Sequence, residues 1–345
     1  MIGVGILGAS PDRGWAARAH VPALAAQPEY ELVAVGTTKA ESAALARERF
    51  GARHACTDAA ELAGHPEVDL VVVTVKVPAH AELVRAALRA GKHVLCEWPL
   101  ALHPAQAREL AEEAEAAGVR AVVGLQGRFS PAVVAARRLV ADGRLGRIRT
   151  ATLLCARAKG GPDGAPAWTA YTFDRANGAG LVEVLGGHAV DLLRHLLGPI
   201  RGLTARSTLQ VPEQVIAETG ERIAVTAPDH FAAVAELDGG VLATVLVHDG
   251  EAHRPRVRLE ISGTEGSLTL ASTPDAELMS IQPQIGRLEL LDTHGRPVPL
   301  PEPDLPVAAV NVAGLYRQLA VDLRTGSRVV PGFREAEDLH RLLVS

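Results

Sequence analysis

The sequence predicts an α/β protein: a doubly wound parallel sheet first, then an α+β region whose sheet is mainly antiparallel. Three observations lead there. From residue 2 to about residue 123, short β-branched runs alternate with Ala-rich helical stretches, as strands covered by helices on both faces do. After about residue 125 the runs lengthen and alternate in polarity, with a hairpin signal at Asp238-Gly239-Gly240. The first strand also runs directly into a glycine turn and a helix start, the arrangement that holds a phosphate at the edge of a parallel sheet.

Residues 2–7, 30–35, 70–75, 93–96 and 121–125 are the predicted parallel strands. Thr38 with Glu41 three residues on reads as a capping box for a helix through Phe50, closed by Gly51. Helices over 79–90 and 104–117 stop at Gly91 and Gly118, the second with Pro104 in its first turn. Further on, strands 231–237 and 241–247 flank the Asp-Gly-Gly turn, and 256–262, 267–270 and 287–291 add three more. A proline-rich crossing over 297–306 precedes two last helices, near 311–324 and 334–343. The expected domains are residues 1–123, binding a dinucleotide, and residues 124–345, an α+β domain that includes the C-terminal helices over 311–343.

A length of 345 residues asks for two domains at roughly 150 residues each. Hydrophobic residues at 48% against 22% charged describe a globular chain, not a disordered one. A formal charge of −5 leaves no broad positive field, so direct nucleic-acid binding is not expected. Cys56, Cys96 and Cys155 form neither a CxxC pair nor a secreted framework, which suits free thiols in a reducing compartment. No basic, apolar leader opens the chain, and no run reaches the ~18 apolar residues of a membrane span. The expectation is a cytoplasmic protein with no membrane partner and no metal.

Gly8-Ala9-Ser10-Pro11-Asp12-Arg13-Gly14-Trp15 follows the first strand and leads into a helix. Unpaired N–H groups and the positive end of the helix dipole then face a pyrophosphate, with Gly8, Ser10, Gly14 and Trp15 as its neighbours. The loop is longer than the usual GxGxxG, and Ser10 stands where a second glycine normally would; a plain capping turn is the competing reading. At the end of the second strand an acid usually holds the ribose of NAD. Here Thr37, Thr38 and Lys39 offer hydroxyls and one of only four lysines in the chain, which favours a 2′-phosphate and hence NADP(H).

Gly8 to His20, His93-Val94-Leu95-Cys96-Glu97-Trp98-Pro99-Leu100, Gly124-Leu125-Gln126-Gly127-Arg128-Phe129-Ser130-Pro131 and Gly187-His188-Ala189-Val190-Asp191 together resemble the Gfo/Idh/MocA oxidoreductases. Gly14-Trp15-Ala16, Trp98 and Leu125-Gln126-Gly127-Arg128 are most similar to the branch containing the fungal galactose-regulon corepressor. The resemblance implies a Rossmann domain and a C-terminal domain on a large open sheet, one face of which commonly joins subunits into a homodimer or homotetramer. It also implies a sugar, cyclitol or related polyol substrate, reacting at the nicotinamide C4 in the cleft between domains. Cofactor contacts beyond the phosphate loop are then expected at Lys76, His80, Glu97, Trp98 and Gln126.

Hydride transfer to or from a carbinol needs a proton moved on its oxygen. The family usually supplies the lysine of a Glu-Lys-Pro motif, whereas this chain has Glu97-Trp98-Pro99. An indole N–H donates hydrogen bonds but does not exchange a proton near neutral pH. The family's Asp four residues before its His is also absent: position 184 is Val, and Glu183 stands five before His188, about 140° away around an α-helix. An extra residue absorbed near Gly186-Gly187 as a π-bulge would change that. His188 with Asp191 three residues on is the best acid/base candidate, Asp191 fixing the ring tautomer, although a purely structural pairing is equally open. Lys76, after the strand at 70–75, is a further catalytic candidate and a candidate phosphate or ribose contact.

The Gly/Pro-rich loop over 159–180 carries Trp168, Tyr171 and Phe173, a stacking wall for a sugar-like ring or a loop pinned by its own aromatics. Trp98, Arg128, Trp168, Tyr171 and His188 are the candidate substrate contacts; Arg128 and Arg157 either bind an anionic group or form ion pairs. Two functions follow. One is an NADP-dependent oxidoreductase acting on a sugar, cyclitol or related ketone or imine. The other is a catalytically silent NADP-binding regulator.

Overall fold

The computed structural model describes residues 1–159, 164–251, 253–273 and 281–344. The chain divides into two compact units, residues 1–126 with 303–338 and residues 127–302 with 339–345. In the first unit β1 (Ile2–Leu7), β2 (Tyr30–Gly36), β3 (His54–Cys56), β4 (Leu70–Val73), β5 (His93–Glu97) and β6 (Ala121–Gly124) form a wholly parallel sheet ordered β3-β2-β1-β4-β5-β6. The order reverses beside β1, so the segment leaving β1 emerges where such sheets bind ligands. Strand β3, three residues long at the edge, is too short to show in the hydrophobic pattern.

The connecting helices are α1 (Val21–Ala25), α2 (Ala40–Phe50), α3 (Ala59–Gly64), α4 (His80–Arg89) and α5 (Pro104–Ala117). Gly51 and Gly118 close α2 and α5 in the left-handed region, at φ 70° and 67°. The capping box expected at Thr38 does not form. Helix α2 starts later, its N-cap is Lys39 without a side-chain bond, and the Thr37 hydroxyl instead donates to Lys39 O at 3.0 Å. A π-helical turn, Ala16–His20, precedes α1.

In the second unit α6 (Pro131–Ala141) leads into β7 (Ile148–Ala156), and α7 (Gly187–Leu197) into β8 (Ile200–Thr208). A small ribbon, β9 (Glu213–Val215) with β10 (Arg222–Ala224), precedes β11 (His230–Leu237), β12 (Val241–His248), β13 (Arg256–Gly263), β14 (Ser267–Ser272) and β15 (Leu288–Leu291). Seven of these form one sheet ordered β15-β14-β13-β7-β12-β11-β8, antiparallel except where β7 pairs with β12. Gly239 and Gly240, both at φ 74°, make the β11–β12 turn. Period-2 alternation buries Phe231, Ala233 and Ala235 of β11 with Val245 and Val247 of β12.

Helix α8 (Val307–Thr325) and the first half of α9 (Phe333–Val344), through Asp338, return to the first unit. Of the expected C-terminal helices over 311–343, residues 339–343 group with the second unit and 311–338 with the first. Tyr316 of α8 is fully buried there, and the Tyr30 hydroxyl donates to its carbonyl at 2.8 Å. An apolar helix face records that it must be covered but not by which neighbour. Among the described residues no helix is long and apolar enough to cross a membrane.

Candidate functional site

The chemistry-bearing residues fall into one group in each unit. In the first unit Gly8 leaves β1 at φ 94°, and its N–H and that of Ala9 donate to Gly36 O at 2.9 and 3.2 Å. That ties the loop to the end of β2 and brings Thr37, Thr38 and Lys39 beside it. A Cβ on Gly8 would lie 2.8 Å from Val75 Cγ1 and 2.9 Å from Thr74 Oγ1. Only glycine fits this close approach. Among the described residues the N–H groups of Asp12, Arg13 and Gly14 make no hydrogen bond, leaving donors at the start of the helix for an anion. Ser10 is half-buried at the root of the same loop, and its N–H donates to Gly8 O at 2.9 Å.

Four buried polar atoms in this unit lack a partner among the described residues, Glu29 Oε2, Arg120 Nε and, near the loop and β6, Trp15 Nε1 and Gln126 Oε1. Buried groups of this kind are normally satisfied, so an unpaired indole donor on the phosphate loop and an unpaired amide oxygen just past β6 fit a bound polar ligand. Lys76 is exposed after β4. His80 is placed differently. It is buried, with Nδ1 2.9 Å from Pro99 O and Nε2 3.0 Å from Val75 O, and burial pushes its pKa down. It pins the Trp98-Pro99 peptide, which is cis, to the end of β4 and turns neither nitrogen outward, so the expected cofactor contact is an internal strut.

Glu97 ends β5 in a buried chain that no spacing announces. His20 Nε2 lies 3.1 Å from Glu97 Oε1 and His20 Nδ1 2.8 Å from Tyr316 Oη. A carboxylate only accepts, so in the tautomer that satisfies both contacts His20 donates to Glu97 from Nε2 and the Tyr316 hydroxyl donates to Nδ1. Gly124 stands so close that a Cβ there would be 2.5 Å from Glu97 Oε1. Glu97 is thereby held from two sides, and Trp98, buried at 5% exposure, follows it.

In the second unit the residue missing from the α-helical count is present as a π-helical segment, Val182–Gly186, running into α7. The Glu183 carboxylate folds back against Gly180, whose Cβ would meet Glu183 Oε2 at 2.9 Å. His188 is buried, and its ring makes no hydrogen bond among the described residues. It borders a small cavity with Gly127, Arg128, Asp191, Leu192, Pro283 and Gln284. Burial lowers its pKa to about 4, against a small opposing pull from Asp191, so the ring is neutral at pH 7.

The expected hydrogen bond from the His188 ring to Asp191 is absent among the described residues. Asp191 accepts Arg128 Nε at 2.8 Å and Nη2 at 2.6 Å, and Arg194 Nε at 2.8 Å. Burial alone would raise its pKa, but the two guanidinium groups hold it far below the carboxylate range. Two cations, each with matched donors, outcompete a neutral imidazole for one carboxylate. Arg194, three residues on, was a legible competitor; Arg128, 63 residues earlier, was not.

Of the aromatic loop, residues 160–163 lie outside the described residues. Phe173 is buried against Ala165 and Val225, so this part of the loop is pinned by its own side chain. Tyr171 is half-buried and its carbonyl accepts Asn177 Nδ2 at 2.8 Å, while Trp168 stays 48% exposed. Arg157 pairs with Asp249 at 2.6 and 3.0 Å.

A wholly parallel sheet that reverses its order beside a glycine turn, with free N–H donors at the following helix, defines a dinucleotide-binding protein of the Rossmann class. Residues 2–125 match the oxidoreductase family with an NAD-binding Rossmann fold, and residues 133–269 match the GFO/IDH/MocA C-terminal domain. Dehydrogenase aclE of Aspergillus oryzae is 33% identical over 304 residues, 82% of this chain and 80% of its own length. The galactose/lactose metabolism regulatory protein GAL80 of Saccharomyces cerevisiae is 26% identical, over 78% of this chain and 66% of its own length. Its super-repressor mutant E351K superposes with a TM-score of 0.87 at 24% identity, covering 99% of this chain and 94% of that one. A levoglucosan dehydrogenase solved with NADH and L-sorbose superposes at 0.84 with 21% identity, covering 100% and 95%. The chain belongs to the Gfo/Idh/MocA family of NAD(P)-binding oxidoreductases.

Proposed function

We propose that this protein is an NADP(H)-dependent oxidoreductase acting on a sugar, cyclitol or related ketone or imine, with His188 exchanging the proton at the substrate oxygen. The observation that carries this reading is the neutral ring of His188, without a side-chain hydrogen bond among the described residues, at a narrow crevice lined by Arg128 and Gln284. When bound, the dinucleotide supplies or takes the hydride. Gly8, Ser10, Gly14 and Trp15 would hold its pyrophosphate, and Gln126 its polar edge. Thr37, Thr38 and Lys39 would favour the 2′-phosphate, a preference set against the NADH found with the levoglucosan dehydrogenase. A neutral imidazole accepts the proton of a carbinol as the hydride leaves, and the imidazolium so formed returns that proton to the oxygen in the reverse direction. Asp191 is removed from the role of tautomer holder; it fixes Arg128 at the cavity rim. Trp98, where the family carries lysine, shapes the pocket without titrating. Lys76, exposed at the end of β4, is a charge contact for phosphate or ribose.

The likeness to GAL80 together with Trp98 favours a second reading, a silent coenzyme-binding regulator. Consumption of NADPH and NADH measured against keto-sugars, inosose-like ketones and cyclic imines separates the two. Turnover lost in His188→Ala supports the enzyme. Micromolar coenzyme binding with no turnover on any of them supports the regulator, and Trp98→Lys then tests whether the missing ammonium was the deficit.

A further inference from the structure

We propose that His54, His65 and Glu67 form a binding site for a divalent transition cation of the zinc class. One ligand atom from each of the three lies within 4.8 Å of the others. The residues come from separate pieces of the first unit. His54 opens the edge strand β3, His65 follows α3, and Glu67 lies in the turn before β4. The two imidazoles face each other with centroids 4.1 Å apart, and His54 Nε2 lies 3.4 Å from Glu67 Oε2. The Glu67 N–H donates to His65 Nδ1 at 3.3 Å, which sets that lone pair on the Glu67 side of the ring. Two imidazole nitrogens and one carboxylate oxygen, with a water completing a tetrahedron, are a donor set suited to Zn2+.

Closing to tetrahedral distances, about 3.4 Å between donors, needs only rotamer adjustment, because the backbone is already held. Arg53 N–H donates to Val33 O at 3.0 Å, Val68 N–H to His65 O at 3.1 Å, and Lys92 Nζ to the same carbonyl at 3.2 Å. Arg53 pairs with the other oxygen of Glu67, Oε1 at 3.1 Å, and with Glu31 at 3.4 Å. Its charge is thus shared between two carboxylates, and the oxygen facing His54 stays with the histidines. On binding, the cation takes the place of the His54 proton that faces Glu67, that proton moving to the far ring nitrogen of His54 as the tautomer shifts, and it displaces the Glu67 N–H from the His65 Nδ1 lone pair.

The site is separate from the nucleotide loop. Glu67 lies against Gly3, where a Cβ would overlap its carbonyl, whereas the loop leaves the other end of β1 at Gly8. A cation here ties the three-residue edge strand to the turn after α3, so it acts on stability and not on coenzyme binding.

The test uses the full chain stripped with EDTA and desalted. It is titrated with ZnCl2 by calorimetry and with Co2+ by visible absorption, which reports four-coordinate geometry. The expected result is one equivalent of Zn2+ bound with Kd of about 10 µM or tighter, a raised Tm, and at least tenfold weaker binding in His54→Gln, His65→Gln and Glu67→Gln. NADPH affinity stays within about twofold in all three. No saturable Zn2+ binding below about 100 µM would overturn the proposal, as would binding that survives both histidine substitutions.

Discussion

Arg128 and Asp191, 63 residues apart, form a two-point ion pair at 2.8 and 2.6 Å inside the second unit, and Arg194 adds a third donor at 2.8 Å. The side chains are 11%, 4% and 13% exposed. Removing the carboxylate leaves two guanidinium groups facing each other out of water. Asp191→Ala is expected to lower unfolding free energy by about 3–5 kcal/mol, read by urea denaturation. A loss under about 1 kcal/mol means that the pair is solvated and does not organise the cavity.

The chain from Tyr316 through His20 to Glu97 supports a second prediction. Tyr316→Phe keeps the ring and removes the hydroxyl that donates to His20 Nδ1. A buried acceptor left unsatisfied costs about 1–3 kcal/mol. If the chain orients Glu97, the variant also shows weaker coenzyme binding, which calorimetry measures; stability lost with affinity unchanged would confine it to packing.

Gly8→Ala meets two obstacles, a left-handed φ of 94° and a Cβ within 2.9 Å of Thr74 and Val75. The loop must shift to accept it. Coenzyme affinity is expected to fall at least tenfold while far-UV circular dichroism stays native, because backbone strain of about 1–3 kcal/mol is concentrated at the turn proposed to hold the phosphates. Unchanged affinity would remove this turn from the binding site.

For His188 the sign follows from a folded pKa of about 4 against the ordinary 6.5. Between those values the unfolded chain binds a proton that the folded chain refuses. The stability this group contributes is full above pH 6.5 and is lost as pH falls toward 4, up to roughly 3 kcal/mol. His188→Gln should therefore flatten the fall in Tm over that interval relative to the parent. An identical pH profile for the two proteins contradicts a buried, neutral imidazole.

Much of the first unit was legible because its signals are local. Gly51 and Gly118 end their helices where the pattern stops, and the Asp238-Gly239-Gly240 turn follows from two consecutive positive-φ glycines. The capping box at Thr38 failed because the N-cap falls one residue later, at Lys39, and the helix starts at Ala40. Strand β3 was missed because three residues carry no period. In the candidate site, the glycine turn after β1 showed in composition and spacing. The partners of Asp191 and of Glu97, and the inward turn of His80, did not.

By itself the sequence determined the alternation of strands and helices, the glycine turn after the first strand, and the presence of His188 on a helix with Trp98 in place of a lysine. Those depend on backbone conformations and side-chain periods that a few neighbouring residues impose. Only the tertiary structure decided that Asp191 serves Arg128 instead of His188, that α8 covers the first sheet's side of the protein through Tyr316, and that His54 meets His65 and Glu67. Each of these is a competition among groups distant in the chain, settled by charge and burial once folding has set who is within reach.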